Sequence, residues 1–599
     1  MNKIRLITTL AFITLVSVSF HAPADELNHG AVTAQASVDE WWNIPYPDRF
    51  DAGLLTRPQD ALTVSGKDIV NERGDVVVLR GVNIGDPAKL FRQDRWNRRL
   101  FNEVADWGAN VVRVPVHPIG WRKRGPAWYM DRIDEAILWA NSLDIYLIID
   151  WHSIGNLNSQ MYQHPMYYTT MPETRDFWRR MAFRYRDVPT VAVYEVFNEP
   201  TNNYIGNGEG SLGKLDWLSW RETLEELTDI VQVYDAESIV LVGGLNWAYN
   251  LDGVAENPLR REGIAYASHP YPQKARPDQN TREAFFEAWE EQWGYVADKY
   301  PLILTEIGWV REDGYSPHVP VINNDGTYGP NLVNFTNKRD ISWTVWNFDV
   351  EWGPRMISDW DFTPTEQGRF FRNVMQLAKA DDLEASVIPS PRVVEYDWMS
   401  IERWREMHGE DVGIAEMNEV KLLFLGDSII EGWPRAAWDQ DFSPYGAANF
   451  GIGGDRTENL LWRLQNGAAG KLDPDVVVLM IGTNNFGHGN DSPEQVALGI
   501  EAVVDQVQSS FGNAQVVLLG VLPRDQAADT GFRKKIIKTN ASIAALGKRE
   551  GVAFHDIGAA FLQEDGSISP EVMADFLHPT EKGYEVFAEQ LNPILEPLL

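Results

Sequence analysis

The stretch 191–200, V-A-V-Y-E-V-F-N-E-P, limits what this chain can fold into more than any other. Val191, Ala192, Val193, Tyr194, Val196 and Phe197 make a β-branched and aromatic run of strand length. The run is too continuous for a strand with one wet face, so it reads as buried on both faces of a parallel sheet. Pro200 halts the extended run and leaves Asn198 and Glu199 at its carboxyl end. In parallel α/β folds catalytic groups gather there, because the loops beyond that end wall a cleft. Glu199 is therefore a candidate acid or base.

Other runs of the same kind set the architecture. They are 76–79 leading into a turn at 80–83, then 110–116, 145–150, 238–242, 265–268, 302–305 and 342–345. Amphipathic segments lie between them, such as 130–143, apolar at Ile133, Ala136, Ile137 and Ala140, which suits a helix packed on a sheet. With the 191–197 strand, this alternation predicts a closed (β/α)8 barrel, the fold class expected of the first half. The strand ends then carry Arg113, His152, Asn198, Glu199, His269, Tyr271, Glu306 and Trp346 on one rim. Glu199 and Glu306 are the pair that glycosidic cleavage needs: one carboxyl protonated to release the leaving sugar, the other ionised to attack the anomeric carbon. Most of the 24 tryptophans precede residue 361, and a Trp face can cover the C–H face of a pyranose.

Composition bounds the partners. The net charge of -33 over 599 residues would repel phosphate backbones and anionic bilayers, so neither nucleic acid nor a membrane surface is an expected partner. A neutral polymer fits. Lys3 and Arg5, the apolar stretch 6–20 and Ala22-Pro23-Ala24 match a secretory signal over 1–24, followed by a polar leader over 25–44. There are no cysteines, so disulfides and thiolate metal sites are excluded. A secreted or periplasmic bacterial enzyme is the expectation.

The barrel is expected over 45–380 and a linker over 381–417, in which Pro389 and Pro391 around Ser390 forbid regular helix or central strand and an irregular or helical lead-in follows. A second domain over 418–599 opens on a buried strand delivering Gly426-Asp427-Ser428 into a turn before a helix. Such a turn presents a hydroxyl beside helix-start N–H groups suited to an oxyanion. The blocks 449–455 (N-F-G-I-G-G-D), 476–485 (V-V-V-L-M-I-G-T-N-N) and 575–578 (D-F-L-H) follow. An Asp three residues before a His can orient the imidazole as a base toward Ser428.

The set R-V-P-V, D-W-H, F-N-E-P, H-P-Y, T-E-I-G-W and W-N-F resembles glycoside hydrolase family 5, the cellulase-type retaining β-glycanases. The resemblance implies Glu199 as general acid and base and Glu306 as nucleophile. It implies Asn198 on the hydroxyl next to the reacting carbon, Arg113 and Tyr271 holding Glu306 ionised, and His152, His269 and Trp346 lining the cleavage subsite. Net retention is implied, with neither metal nor other cofactor. The second domain resembles the SGNH (GDSL-type) hydrolases, in particular the platelet-activating-factor acetylhydrolase-like branch. That implies a doubly wound, flavodoxin-like α/β sandwich with Ser428 as nucleophile, His578 as base and Asp575 as its partner. Gly454 and Asn484 would join the Ser428 amide in the oxyanion hole. The expected whole is a bifunctional endo-β-1,4-glycanase and acetylesterase acting on β-glucan, glucomannan or xylan, plain or acetylated. Mannanase or xylanase specificity, a glycolipid or lipid-ester hydrolase, and a non-catalytic carbohydrate-binding protein are the alternatives.

Overall fold

The computed structural model describes residues 38–204, 211–275, 277, 281–310, 328–379, 385–394, 396–417, 419–489 and 491–599. The expected signal segment, the leader before residue 38 and the start of the expected linker lie outside them.

Eight parallel strands close the barrel in chain order: β1 (Arg80–Asn83), β2 (Val111–Val116), β3 (Tyr146–Trp151), β4 (Val191–Glu195), β5 (Ile239–Gly243), β6 (Ile264–Ala267), β7 (Leu302–Ile307) and β8 (Ser342–Val345). The order β5-β6-β7-β8-β1-β2-β3-β4 returns on itself through parallel pairing of β4 with β5 and of β8 with β1. Seven of the strands fall where the hydrophobic runs place them. The first does not: the expected strand 76–79 precedes β1, and R-G-V-N, expected to be a turn, is the barrel strand. Val76 is half exposed and bridges Val70 of a small antiparallel hairpin instead. Gly81 is there for closeness, because a Cβ at that position would lie 1.8 Å from the Val111 carbonyl oxygen of β2. Leu79, Val111, Ile148, Val193, Ile239 and Ile303 belong to one buried cluster, and the larger cluster joins strand residues to helices such as Pro126–Ser142.

The second domain holds a five-stranded parallel sheet: β9 (Leu422–Gly426), β10 (Ala447–Gly451), β11 (Val476–Met480), β12 (Gln515–Leu519) and β13 (Val552–His555), in the order β10-β9-β11-β12-β13. That is the flavodoxin-like doubly wound order, whose switch point lies between the first and third strands. The period of two separates its cores. Leu423, Leu425, Val477, Leu479, Val516 and Leu518 enter one buried cluster, and Leu422, Phe424, Val476, Val478, Val517 and Leu519 the other. The helix Ile401–Met417 packs with this domain through Ala415 and Trp404. Among the described residues no helix is long and apolar enough to cross a membrane.

Two candidate active sites

In the barrel the strands' carboxyl ends converge on Arg113, which projects from β2 and is fully buried. Its Nε donates to Glu195 Oε2 at 2.5 Å and its Nη2 to Glu195 Oε1 at 3.0 Å. Nη2 also donates to Asn198 Oδ1 at 2.6 Å, and Nη1 to Asn83 Oδ1 at 2.8 Å and Glu306 Oε1 at 3.0 Å. Asp150 Oδ2 completes the shell, 3.0 Å from Nη2. Tyr271 donates its hydroxyl to the other Glu306 oxygen at 2.9 Å. Glu306 thus receives two strong donors. Glu199 contacts a single ring nitrogen, His269 Nδ1, at 3.0 Å. The other nitrogen, Nε2, lies 2.9 Å from Thr305 Oγ1, whose proton goes to Glu195 Oε1 at 2.9 Å. His152 Nδ1 lies 2.6 Å from Asp150 Oδ2, and its ring stacks at 9° on Trp346, which in turn stacks at 3° on Trp352. Asn198 Nδ2 is buried with no partner among the described residues.

Burial dominates the electrostatics. It pushes Glu199 and Glu306 each up to about 7, since charge is costly away from water. For Glu306 the Arg113 field and the Tyr271 hydrogen bond oppose that rise, and for Glu199 the fields of Lys274 and Arg113 do. Burial drives His269 down to about 4, so its ring is neutral. With both carboxyls desolvated, the one that accepts hydrogen bonds from a guanidinium and a hydroxyl keeps the charge, and Glu199 keeps the proton. One donor atom each from Glu199, His269 and Glu306 lies within 4.8 Å of the others. His269 engages both of its ring nitrogens inside the protein, which suits a proton relay better than a metal ligand.

The second site forms at the switch point of the five-stranded sheet. Ser428 opens the short helix Ser428–Glu431 directly after β9. Its Oγ donates to His578 Nε2 at 2.9 Å, and His578 Nδ1 donates to Asp575 Oδ2 at 2.6 Å. Asp575 Oδ1 accepts from the backbone N–H of Leu577 and His578. Burial alone would raise the Asp575 carboxyl, but the hydrogen bonds from His578 and Leu577 outweigh it and hold the carboxyl below its ordinary range. Gly454 stands in the turn after β10 with φ of 75°, a backbone region that favours glycine. Asn484 follows β11 and donates from Nδ2 to the Asp455 carbonyl at 3.1 Å, which ties the two turns together. Asp455 is anchored below by Arg463 Nε at 2.7 Å and by Trp404 Nε1 at 2.6 Å.

All thirteen residues singled out from the sequence fall into these two constellations, eight in the barrel and five in the sheet domain. Sequence reasoning missed Asp150, Glu195, Thr305 and Asn83 in the barrel, and Asp455, Arg463 and Trp404 in the second site. Glu195 carried a signal, because an acidic residue inside a run buried on both faces needs a buried cation.

Comparison with known proteins agrees with both constellations. The family model for cellulase (glycosyl hydrolase family 5) matches residues 70–351, and that for the GDSL-like lipase/acylhydrolase family matches 424–586. The barrel is similar to a β-glucanase from Saccharophagus degradans solved in complex with cellotetraose, at 51% identity and TM-score 0.54, covering 57% of this chain and 100% of that one. Its native form is 52% identical, with the same TM-score and coverage. The second domain is 39% identical over 199 residues to the platelet-activating factor acetylhydrolase IB subunit alpha1 of Bos taurus, covering 33% of this chain and 84% of that protein. The chain therefore belongs, in its first domain, to the cellulase-type glycosyl hydrolases of family 5 and, in its second, to the GDSL-like lipase/acylhydrolases, joining a glycosidase to an ester hydrolase.

Proposed function

We propose that the chain is a secreted enzyme that cuts β-1,4-glucan internally with retention of configuration and removes acetyl esters from the same decorated glycan. The observation that carries the retaining reading is the 4.8 Å limit on the separation of a Glu199 and a Glu306 oxygen. Retaining glycosidases hold their carboxyls about 5–5.5 Å apart, whereas inverting ones need about 6.5–9.5 Å to admit a water. Glu306 Oε attacks the anomeric carbon, the glycosidic C–O bond breaks, and Glu199 gives its proton to the departing oxygen. Glu199 then takes a proton from water, which displaces Glu306 from the sugar. Arg113 and Tyr271 hold the nucleophile charged, and Asn198 Nδ2 donates to the hydroxyl beside the reacting carbon. The likeness to a β-glucanase crystallised with cellotetraose supports glucan over mannan or xylan.

At the second site Ser428 Oγ attacks the ester carbonyl while His578 Nε2 takes its proton and passes it to the leaving alcohol. The Ser428 and Gly454 N–H groups and Asn484 Nδ2 receive the oxyanion, and water then frees the acyl-enzyme. Secretion rests on the basic and apolar amino-terminal segment with its A-P-A site. A second reading, an acetyl ester on a phospholipid, is favoured by the names of the acetylhydrolase relatives. The test follows reducing ends and acetate separately, from acetylated glucan, glucomannan and xylan and from platelet-activating factor. Glu306→Ala should abolish only the sugar signal and Ser428→Ala only the acetate. Acetate released from the phospholipid alone would transfer the second site to the lipid reading.

A further inference from the structure

The stretches 391–394 and 396–399 lie outside both spans that the family models match, yet they are built into the wall of the ester site. Ser390 N donates to the Glu458 carbonyl at 3.0 Å and Asn459 Nδ2 to the Ser390 carbonyl at 2.9 Å. Arg392 is buried and donates from Nη2 to the Gly453 carbonyl at 2.7 Å. On the other side Asn334 Nδ2, in a barrel helix, donates to the Val393 carbonyl at 2.8 Å. Tyr396 and Met399 then exchange two backbone hydrogen bonds, 3.2 and 3.1 Å, closing a tight turn with Asp397 and Trp398 at its tip. Met399 sinks into a cluster with Trp404, Ile452 and Trp462. The turn is thus fixed at its base.

Its tip is what bears on function. Trp398 stacks on Tyr396 at 5.1 Å and 5°, with His488 against Tyr396 at 4.7 Å. Arg392 lies under the Tyr396 ring at 5.3 Å. Trp398 nevertheless stays 57% exposed, an unusual state for a Trp so firmly anchored. It stands beside the oxyanion turn, since a Cβ on Gly454 would fall 2.7 Å from its Cη2 and one on Gly453 3.4 Å from its Cζ3. A rigid, flat, solvent-facing indole at the rim of a hydrolytic site matches the C–H face of a pyranose, with its hydroxyls left to polar neighbours. A flexible acyl chain gains nothing special from flatness.

We propose that Trp398, supported by Tyr396 and Arg392, is the platform on which the sugar carrying the ester rests while Ser428 attacks. The segment joining the two domains is in this view a specificity element of the second one. The proposal rests on the esterase reading above and selects a sugar ester as its substrate.

The test compares Trp398→Ala with wild type on O-acetylated cellotetraose and on ethyl acetate, whose leaving alcohol has neither a sugar nor a ring. On the acetylated sugar kcat/KM should fall about tenfold, equivalent to about 1.4 kcal/mol, chiefly through KM. Activity on ethyl acetate should stay within about twofold, since Ser428, His578 and Asp575 are untouched, and Trp398→Phe should restore most of the loss on the acetylated sugar because a flat ring remains. Equal losses on both esters would make Trp398 a purely structural support and overturn the proposal, as would no loss on either. Wild type that hydrolyses ethyl acetate but not the acetylated sugar would also overturn it and leave the esterase standing. Wild type inert on both would bring down the esterase reading itself.

Discussion

Replacing Thr305 by valine should move one limb of the glycosidase pH profile and leave the other in place. Thr305 has one hydroxyl proton, and it goes to Glu195 Oε1, which Arg113 keeps charged by gripping both carboxylate oxygens. The Thr305 oxygen therefore accepts from His269 Nε2, which must carry the ring's proton. With the ring neutral, Nδ1 is bare, and its 3.0 Å contact with Glu199 Oε1 is a hydrogen bond only when Glu199 is protonated. Valine keeps the shape but removes the acceptor. The ring can then place its proton on Nδ1 and donate to ionised Glu199. A hydrogen bond to a charged group contributes about 1.5–3 kcal/mol, which at about 1.36 kcal/mol per unit lowers the Glu199 pKa by about 1–2 units from about 7. Loss of the acid form sets the basic limb of kcat/KM, so that limb should move down by the same amount. The acidic limb, set by protonation of Glu306, should stay. The assay is kcat/KM against pH on cellotetraose, paired with a dinitrophenyl cellobioside whose leaving group needs no proton and whose basic limb should be less affected. A basic limb that stays put, or moves up, refutes the assigned tautomer and the claim that His269 keeps Glu199 protonated.

Tyr271→Phe removes a donor to the charged form of Glu306; its pKa rises, and the acidic limb of the same profile should move up by about 1 unit, in line with a lost hydrogen bond of about 1.5 kcal/mol. Asp575→Asn keeps the size of the side chain but no longer favours Nδ1–H on His578; ester kcat should fall on the order of 10⁴-fold while release of reducing ends is unchanged. Arg463→Met strands Asp455 and Asp411, both buried against that guanidinium, at a cost of about 3–5 kcal/mol. Calorimetry should then show the second domain melting earlier with the barrel transition in place.

The strands were legible because strands buried on both faces are written as continuous apolar runs, and the catalytic residues because they sit where those runs stop. The first strand was misplaced for a related reason. R-G-V-N offers one apolar side chain, and Gly81 signals a turn locally, whereas its meaning is the 1.8 Å approach of the Val111 carbonyl oxygen, a contact across 30 residues of chain. Arg113 was legible as a partner of Glu306, but its bidentate grip on Glu195 and its contact with Asp150 were not, since no local pattern says which carboxylates a buried cation will collect. The same holds for Arg463, which joins a helix expected in the linker to the turn bearing Gly454. Trp398 was illegible as a site residue because only the folded turn sets it beside Gly454.

The barrel site also shows why its carboxyls are poised near neutrality. Arg113 is one cation facing Asp150, Glu195 and Glu306, with Glu199 close behind, all buried. Lys274 adds a second positive field that acts on Glu199, yet four carboxylates against these two cations would still leave unbalanced charge in a region where each desolvated ion costs several kcal/mol. The site must therefore retain protons. Glu195 cannot be the holder, since Arg113 grips both its oxygens and Thr305 donates to one of them. Glu306 is disfavoured by two donors that demand a lone pair. Asp150 and Glu199 are left, each raised to about 7 by burial, and Glu199 faces the bare nitrogen of a neutral imidazole, which a proton satisfies and a charge does not. The division of labour between acid and nucleophile thus follows from Arg113 and Tyr271 both donating to Glu306, and removing those donors would exchange or erase the roles even with both glutamates in place.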